Sequence, residues 1–398
     1  MKILNRKWGI SWEDDELEPE QKYYNNEAIL KTECEYMLQL GERANGKSYA
    51  DKLYLLRCAW DEKDPYTGEP LPEYEFAYIR RWDLEIKGKD VEQYFADMVV
   101  NGKGEEVIRE ITGGEAECVA VYQRRIYFAK VDPETGALIR GKLIGHCFAI
   151  TQETHYKSLA FPKVGRAIFE EFITNSGYLE KEPQRLLALI STIFRRRRGR
   201  VFLVGNTLSR ACPYFGEWGL PGVLRQDKGT ICIYTQETDQ EDADGMPIVV
   251  RIAVEFCENS GKNSKMFFGQ SSKMITSGDW ESELQPHLEY FYEEYRRITD
   301  MIFELDGLAY RAQLLYDPEE RPLVYIYPLN KIPDDERRKK RIISDNYSLN
   351  VNQTRGWVDK RFRYDRIYMT LLSAGKYAFS DNLTGTEFLL SARNHALI

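Results

Sequence analysis

The residues Gly41-Glu42-Arg43-Ala44-Asn45-Gly46-Lys47-Ser48 satisfy G-x-x-x-x-G-K-[ST] at every fixed position. This pattern is a phosphate loop. Its backbone N–H groups wrap a triphosphate, and glycine lets the chain approach without a Cβ in the way. Lys47 is placed to reach the β- and γ-phosphates, and Ser48 to offer its hydroxyl to Mg²⁺. A second set of candidates is Glu170 and Glu171, adjacent carboxylates that close the apolar run Ala167-Ile168-Phe169. Downstream of a phosphate loop, the first acid would hold the Mg²⁺ shell and the second would polarise the attacking water. Positive charge against the γ-phosphate could come from Arg43 or from the run Arg195-Arg196-Arg197-Arg198. A basic cap on a helix C-terminus needs fewer than four arginines.

These groups need elements that deliver them to one place. Cys34 to Leu40 reads as a buried strand, and Tyr49 to Trp60 as a helix with Leu53, Leu56 and Trp60 on one face. A strand feeding a loop that opens a helix puts phosphate at a helix N-terminus. Phe76 to Ile79 reads as a second strand, ending in Arg80-Arg81. The strand ending in Glu170 is a third, and Val201 to Asn206, after the apolar helix Leu186 to Phe194, is a fourth. In a parallel sheet all four would deliver their ends to the same edge. Asp61 to Glu75 is a Pro/Gly-rich loop, and residues 90–111 are helical in part with a break at Asn101-Gly102. Cys118 to Ile150 alternates like strands. Thr230 to Tyr234 and Ile248 to Phe256 read as a hairpin.

Composition bounds the rest. The chain has 398 residues, enough for two domains, and 43% hydrophobic with 30% charged residues is ordinary globular usage. No apolar run is long enough to span a bilayer. Met1 to Lys22 lacks an apolar signal region, so the expectation is a protein that stays in the cytoplasm where it is made. Seven scattered cysteines and four histidines show no metal-ligand spacing, which predicts reduced core thiols and argues against a zinc site. The net charge of −8 argues against a protein that coats nucleic acid, but not against one that touches it through local basic groups. The predicted units are an N-terminal arm (1–22), a P-loop ATPase domain (23–258), a polar linker with a charged helix (259–296) and a C-terminal domain (297–398).

Together the motifs resemble a family: the DNA-encapsidation ATPases of small short-tailed phages, relatives of the large terminase subunits. The likeness is carried in order by LGERANGKSYA, FAYIRRW, YKSLAFPKVGRAIFEEFI, LLALISTIFRRRRGRVFLVGN, CPYFGEWGL and LLSAGKYAFSDN. Two departures stand out: Glu170 where the family more often has Asp, and a longer stretch between residues 87 and 150. The second is expected to alter only loop geometry. The resemblance implies an α/β fold: a P-loop NTPase of the added-strand (ASCE) type, mostly parallel with flanking helices, plus a smaller α+β domain like a vestigial RNase H-like nuclease. It implies ATP and Mg²⁺ as cofactors, with Gly41 to Ser48 on the phosphates and Tyr24 and Asn25 near the adenine. It implies Ser48 and Glu170 on the metal, Glu171 as the catalytic glutamate, Arg195 as a finger supplied to a neighbouring subunit, and Asn206 as a coupling residue. Its implied partners are double-stranded DNA, the portal of a procapsid in the host cytoplasm, and copies of the same chain in a ring, by resemblance a pentamer. A packaging RNA is an open addition, and no membrane is involved.

Arg80, Arg81 and Lys157 are the residues expected on DNA, with intersubunit salt bridges as the competing role. Arg337 to Arg341 forms a separate basic loop open to portal, RNA or solvent. Two other functions compete with packaging. One is a nuclease-competent terminase, for which Asp300, Glu304, Asp306 and Asp317 are the candidate acids. The other is a P-loop ATPase with no capsid role.

Overall fold

The computed structural model describes residues 2–5, 23–174, 177–195, 197–207, 211–220, 222–223, 226–241, 247–258, 285–346, 348–358 and 360–398. The chain divides into two compact units. The first comprises Met1–Phe172, Lys181–Asn206 and Arg225–Asp279; the second comprises Ile173–Glu180, Thr207–Leu224 and Trp280–Ile398. The sequence expectation assigned the first two segments of the second unit to the ATPase domain, and most of the linker lies outside the described residues.

The first unit is built on one ten-stranded sheet. In chain order its strands are β1 (Lys2–Asn5), β2 (Tyr36–Leu40), β3 (Glu75–Arg80), β4 (Cys118–Tyr122), β5 (Arg125–Val131), β6 (Leu138–Ala149), β7 (Val164–Glu170), β8 (Arg200–Val204), β9 (Thr230–Glu241) and β10 (Pro247–Phe256). Their spatial order is β1-β9-β10-β2-β8-β7-β3-β6-β5-β4. The run β10-β2-β8-β7-β3-β6 is parallel throughout. Its central strands are buried almost end to end, as strands covered on both faces must be. Antiparallel pairs close both sides: β9 and β1 on one, β5 and β4 on the other. Lys2–Asn5 is therefore an edge strand of the sheet, which corrects the reading of residues 1–22 as a peripheral arm throughout; residues 6–22 are outside the described set.

Register fixes which strand ends share a level. Gln39 of β2 and Glu170 of β7 both pair with Val204 of the intervening β8. Ile79 of β3 pairs with Phe169. The phosphate loop, the two glutamates, the end of β8 and Arg80 thus leave the sheet along one edge. The helix Lys47–Asp61 packs Leu55, Leu56 and Ala59 into a core with Met37, Phe76, Ile168 and Phe202. The helix Glu182–Phe194 begins with Pro183, whose missing N–H costs nothing in a first turn, and ends at Arg195 in a left-handed cap. The stretch 87–150 contributes three short helices, Gly88–Tyr94, Ala96–Val99 and Val107–Ile111, besides the edge strands.

The second unit has a six-stranded sheet of β11 (Arg296–Leu305), β12 (Leu308–Tyr316), β13 (Pro322–Leu329), β14 (Ile342–Ser344), β15 (Gln353–Thr354) and β16 (Tyr377–Phe379), in the order β15-β14-β11-β12-β13-β16. The first three form an antiparallel meander, and β14, β15 and β16 add in parallel. The helices Asp365–Ser373 and Asn382–Asn394 bury Tyr368, Leu371, Phe388 and Ala392 against Phe303, Tyr310 and Ile326. The predicted charged helix before this unit is absent from its described part. Residues 285–291 run without helix, and only Tyr292–Glu294 forms a 3₁₀ turn. The cause is hydrogen bonding to β16 and to the start of the last helix. The Pro286 carbonyl accepts from the Phe379 N–H, and Asn382 Oδ1 accepts from the Gln285 N–H at 2.9 Å. Six of the seven cysteines are buried, Cys118 being half-buried. No helix among the described residues is long and apolar enough to cross a membrane.

Arg81 changes role. It is 6% exposed, and its guanidinium forks onto Glu182 (Nε–Oε2 2.7 Å, Nη2–Oε1 2.8 Å) while donating to the carbonyls of Glu171 and Phe172. A buried arginine with every direction engaged is an internal brace, not a surface for DNA. Removing one partner of such a pair strands a buried charge and costs about 3–5 kcal/mol. Arg81→Met should therefore destabilise the first unit to urea by that much. An unchanged midpoint accompanied by weaker DNA binding would return Arg81 to the DNA.

Candidate active site

The loop after β2 holds its shape through two glycines at positive φ, Gly41 (+149°) and Gly46 (+98°). At Gly46 the helix Lys47–Asp61 begins. Lys47 is 4% exposed. Its ammonium donates to the Glu42 carbonyl (2.7 Å) and to Asn45 Oδ1 (3.2 Å) within the loop. Burial lowers the pKa of this ammonium, so an arriving polyphosphate would favour its charged form. Arg43 lies exposed on the loop.

Across β8, Ser48 Oγ donates to Glu170 Oε2 at 3.1 Å. Glu170 is buried and takes a second hydrogen bond at Oε1 from the Tyr94 hydroxyl, 2.6 Å away. Burial raises the Glu170 pKa, and the Tyr94 and Ser48 hydroxyls oppose that rise. A hydroxyl and a carboxylate at this spacing are hard oxygen donors of the kind Mg²⁺ takes, one or two from the protein and the rest from phosphate and water. The donor chemistry therefore fits the ion. The glutamate side chain is long enough to reach the serine hydroxyl.

Glu171 is the next residue, in a left-handed conformation (φ +58°) that is uncommon outside glycine. This turn is why two adjacent acids can serve one edge. Glu170 completes the strand, inward and buried, and Glu171 turns out with its side chain 62% exposed. Arg80 Nη2 donates to Glu171 Oε2 at 2.7 Å and to Glu85 at 2.6 Å. Arg80 is thus bound to the second acid at the site, a contact the expectation of DNA binding did not anticipate.

Tyr24 is buried; its N–H donates to the Asn45 carbonyl and its hydroxyl to Glu255 Oε2 at 2.7 Å. Asn25 Oδ1 accepts from the Glu27 N–H at the start of the helix Glu27–Leu30. Beside them lies a cavity of about 540 Å³, lined among others by Tyr24, Asn25, Gly46, Tyr49, Leu53 and Tyr66. Its apolar walls next to a phosphate loop suit a flat base.

The remaining expected residues are more scattered. Arg195 is exposed, and its Nη2 donates to the carbonyls of Leu159 (2.6 Å) and Lys157 (3.2 Å). Arg197 is a backbone clamp, donating to five carbonyls including those of Phe161, Pro162 and Val164. Arg198 is exposed, and Arg196 is outside the described residues. Lys157 is exposed, and Asn206 is half-buried just beyond β8. In the second unit the basic loop proves to be the helix Asp334–Lys339 with Lys340 and Arg341 after it. Arg337 pairs with Glu304 at 2.6 Å, Lys340 with Asp300 at 2.5 Å, and Arg341 with Asp365 at 2.8 Å. Those pairs neutralise two of the four acids considered for a nuclease, and Asp317 pairs with Arg321.

Sequence reasoning missed Tyr94 and a buried network behind the loop. Tyr94 lies in the stretch 87–150, so that stretch alters the site itself and not only loop geometry. Lys52 fastens it to the loop helix through the Tyr94 carbonyl and Asp97. Asp51 Oδ1 accepts from Gln39 Nε2 (3.0 Å) and Asn26 Nδ2 (2.8 Å), joining β2, the loop helix and the segment beside the cavity. The available signal was an Asp-Lys pair inside a helix flanked by buried strands.

Burial pushes the Asp51 carboxyl up to about 7. For an acid raised in the folded state, the unfolded chain loses its proton first as pH rises. Stability linked to Asp51 is then full below about pH 4 and lost on the way to pH 7, by on the order of 4 kcal/mol. Asp51→Asn keeps the Oδ1 acceptor and never ionises. Its melting temperature should gain on the parent between pH 4 and pH 8; a difference that stays constant across that range would contradict the assignment.

Comparisons with known proteins bear on this arrangement. The profile of the podovirus DNA encapsidation protein family (Gp16) matches residues 126–226, the span holding the acid strand, the arginine run and β8. The DNA packaging protein of Bacillus phage phi29 is 30% identical over 197 residues, 48% of this chain and 49% of that protein. That of Bacillus phage B103 is 27% identical over 292 residues, 67% of this chain and 80% of that protein. The chain thus spans about half the length of the phi29 protein and four-fifths of the B103 protein. The solved bacteriophage Phi-29 viral genome packaging motor assembly aligns with 94% of this chain and 99% of its own, at 21% identity and a TM-score of 0.48. By these sequence matches the chain is similar to the podovirus DNA encapsidation proteins.

Proposed function

We propose that the chain is an ATP-driven double-stranded DNA translocase that packages a viral genome through the portal of a procapsid. The observation that carries the enzymatic part is the Ser48–Glu170 contact beside Lys47, with Glu171 on the next residue. Phosphoryl transfer is served by positioning and by neutralising charge rather than by covalent chemistry. Lys47 leaves the Glu42 carbonyl for the β- and γ-phosphates. The loop N–H groups orient the chain of phosphates, and the cavity at Tyr24 and Asn25 takes the base. Ser48 and Glu170 hold Mg²⁺, which when bound supplies charge neutralisation across the phosphates. Glu171 orients and polarises the attacking water; Arg80, now bonded to it, positions that carboxylate.

The strand order supports an added-strand ATPase, since one strand separates the loop strand from the acid strand. The order β15-β14-β11-β12-β13, antiparallel meander first, supports the ribonuclease-H-like reading of the second unit. The ion pairs on Asp300, Glu304 and Asp317 fit a vestigial nuclease better than a working one. Relatedness to phage packaging proteins supplies the substrate and partners: DNA, the portal and a ring of copies, with a packaging RNA as an open member. Arg195, exposed on the strength of a helix cap, is the finger offered to the next subunit, and Asn206 the coupling residue. Local basic groups such as Lys157 meet DNA.

Glu171→Gln keeps shape and removes the charge that polarises water. It should bind Mg-ATP like the parent while hydrolysis and DNase-protected packaging into procapsids both fall by at least roughly two decades. Comparable turnover would remove Glu171 from the reaction.

Trans arginine fingers are worth roughly three to five decades in rate. Arg195→Ala should be inactive alone, yet mixing it with Glu171→Gln should restore part of the ATPase, because one subunit keeps the finger and its neighbour the intact site. Confirmed mixed assemblies without activity would move the role to Arg43.

A further inference from the structure

The second unit carries a polar cluster that the packaging reaction does not use. Asp306 and Gly307 form the two-residue turn between β11 and β12, both at positive φ (+51° and +79°). This backbone is that of a type I′ hairpin, for which Asp-Gly is a preferred pair. The Asp306 residue is 1% exposed. Its Oδ2 accepts from Ser391 Oγ at 2.8 Å, and its Oδ1 lies 2.9 Å from His395 Nε2. Asp345 comes directly after β14. Because β14 runs parallel to β11 with Glu304 opposite Ser344, Asp345 arrives beside the same turn. Its Oδ2 accepts from the Asp306 N–H at 2.7 Å and lies 3.7 Å from His395 Nε2. Its Oδ1 is sealed from solvent and has no hydrogen-bond partner among the described residues. His395 caps the helix Asn382–Asn394.

We propose that Asp306, Asp345 and His395 form a site for one divalent cation of the zinc or manganese class, which locks the last helix to the ends of β11 and β14. One ligand atom from each residue lies within 4.8 Å of the other two. Two ligands bonded at zinc distances sit about 3.3 Å apart, and the observed 2.9 and 3.7 Å bracket that value. Charge points the same way. A protonated imidazole offers one positive charge to two carboxylates and one Nε2–H to divide between them, whereas a divalent ion meets both and takes the imidazole lone pair. The nearby Arg337 is bonded to Glu304. The mixed oxygen and nitrogen donors select a borderline ion over Mg²⁺ or Ca²⁺, which prefer oxygen alone. The ligands are also oriented from outside, Asp306 by the Ser391 hydroxyl and Asp345 by a backbone N–H, as ligands to such ions are. Strand register and a fixed turn, rather than flexible loops, set the three positions.

The test uses the full chain stripped with chelator and dialysed against Co²⁺, Zn²⁺ or Mn²⁺. Metal analysis should find one tightly held ion per chain that is lost in both Asp345→Asn and His395→Gln. The parent's melting temperature should rise with the ion, and that of the variants should not. Cobalt in the parent should give ligand-field bands without a thiolate charge-transfer band, which separates this site from the seven cysteines and needs no variant to fold. No bound ion, equal stoichiometry in parent and both variants, or a thiolate band accounting for all the cobalt would each overturn the proposal.

Discussion

The contact between the Ser48 hydroxyl and the Glu170 carboxylate joins positions 122 residues apart, and most of the first unit can be understood as the scaffold that makes it possible. A hydroxyl at the start of a helix and an acid at the end of a strand meet only if two strands end at the same level with one strand between them. The pairing of both Gln39 and Glu170 with Val204 sets that level. Parallel strands end on one side by construction, and a hydrophobic core on both faces prevents a slip of register. The buried Arg81–Glu182 fork then fixes the start of the helix Glu182–Phe194 to the turn that carries Glu171.

Burial sets the chemistry of the site as much as geometry does. Lys47, Asp51 and Glu170 lie in one low-dielectric region, and burial works against the charged form of each. A bound polyphosphate with its cation would reverse that balance for Lys47 and Glu170. Within the loop the Lys47 ammonium is held by the Glu42 carbonyl and Asn45 Oδ1. Glu171 differs, being exposed and held by Arg80 rather than by burial. Neighbouring positions in the chain thus carry one acid buried under the Ser48 and Tyr94 hydroxyls and one turned outward onto Arg80.

The sequence made the parallel core legible because its signals are local. Gly41, Gly46, Lys47 and Ser48 declare a backbone path, and apolar runs ending in Glu170 or Asn206 declare buried strands. The features that stayed hidden depended on distant partners. Nothing local marks Tyr94 as a hydrogen-bond donor to Glu170. Arg80 and Arg81 look alike in the chain, yet β3 ends between them, so Arg80 reaches the site and Arg81 the interior. The basic run at Arg337 to Arg341 reads as a surface patch because its acids, Asp300, Glu304 and Asp365, lie 24–40 residues away. Residues 285–295 have the charge and aromatic content of a helix, but Gln285 and Pro286 are tied to Asn382 and Phe379 and only Tyr292–Glu294 turns as 3₁₀. Nothing local marks Asp306, read from the sequence as a candidate nuclease acid, as a turn residue buried against His395.

The coupling of hydrolysis to DNA at the capsid is the central claim. Steady-state ATP turnover of the purified chain should be measured alone, with double-stranded DNA, with procapsids, and with both. The prediction is weak turnover alone, and the highest Mg²⁺-dependent rate when DNA and procapsids are present together. A rate that is the same in all four mixtures would contradict it, leaving a nucleotide hydrolase without a packaging role.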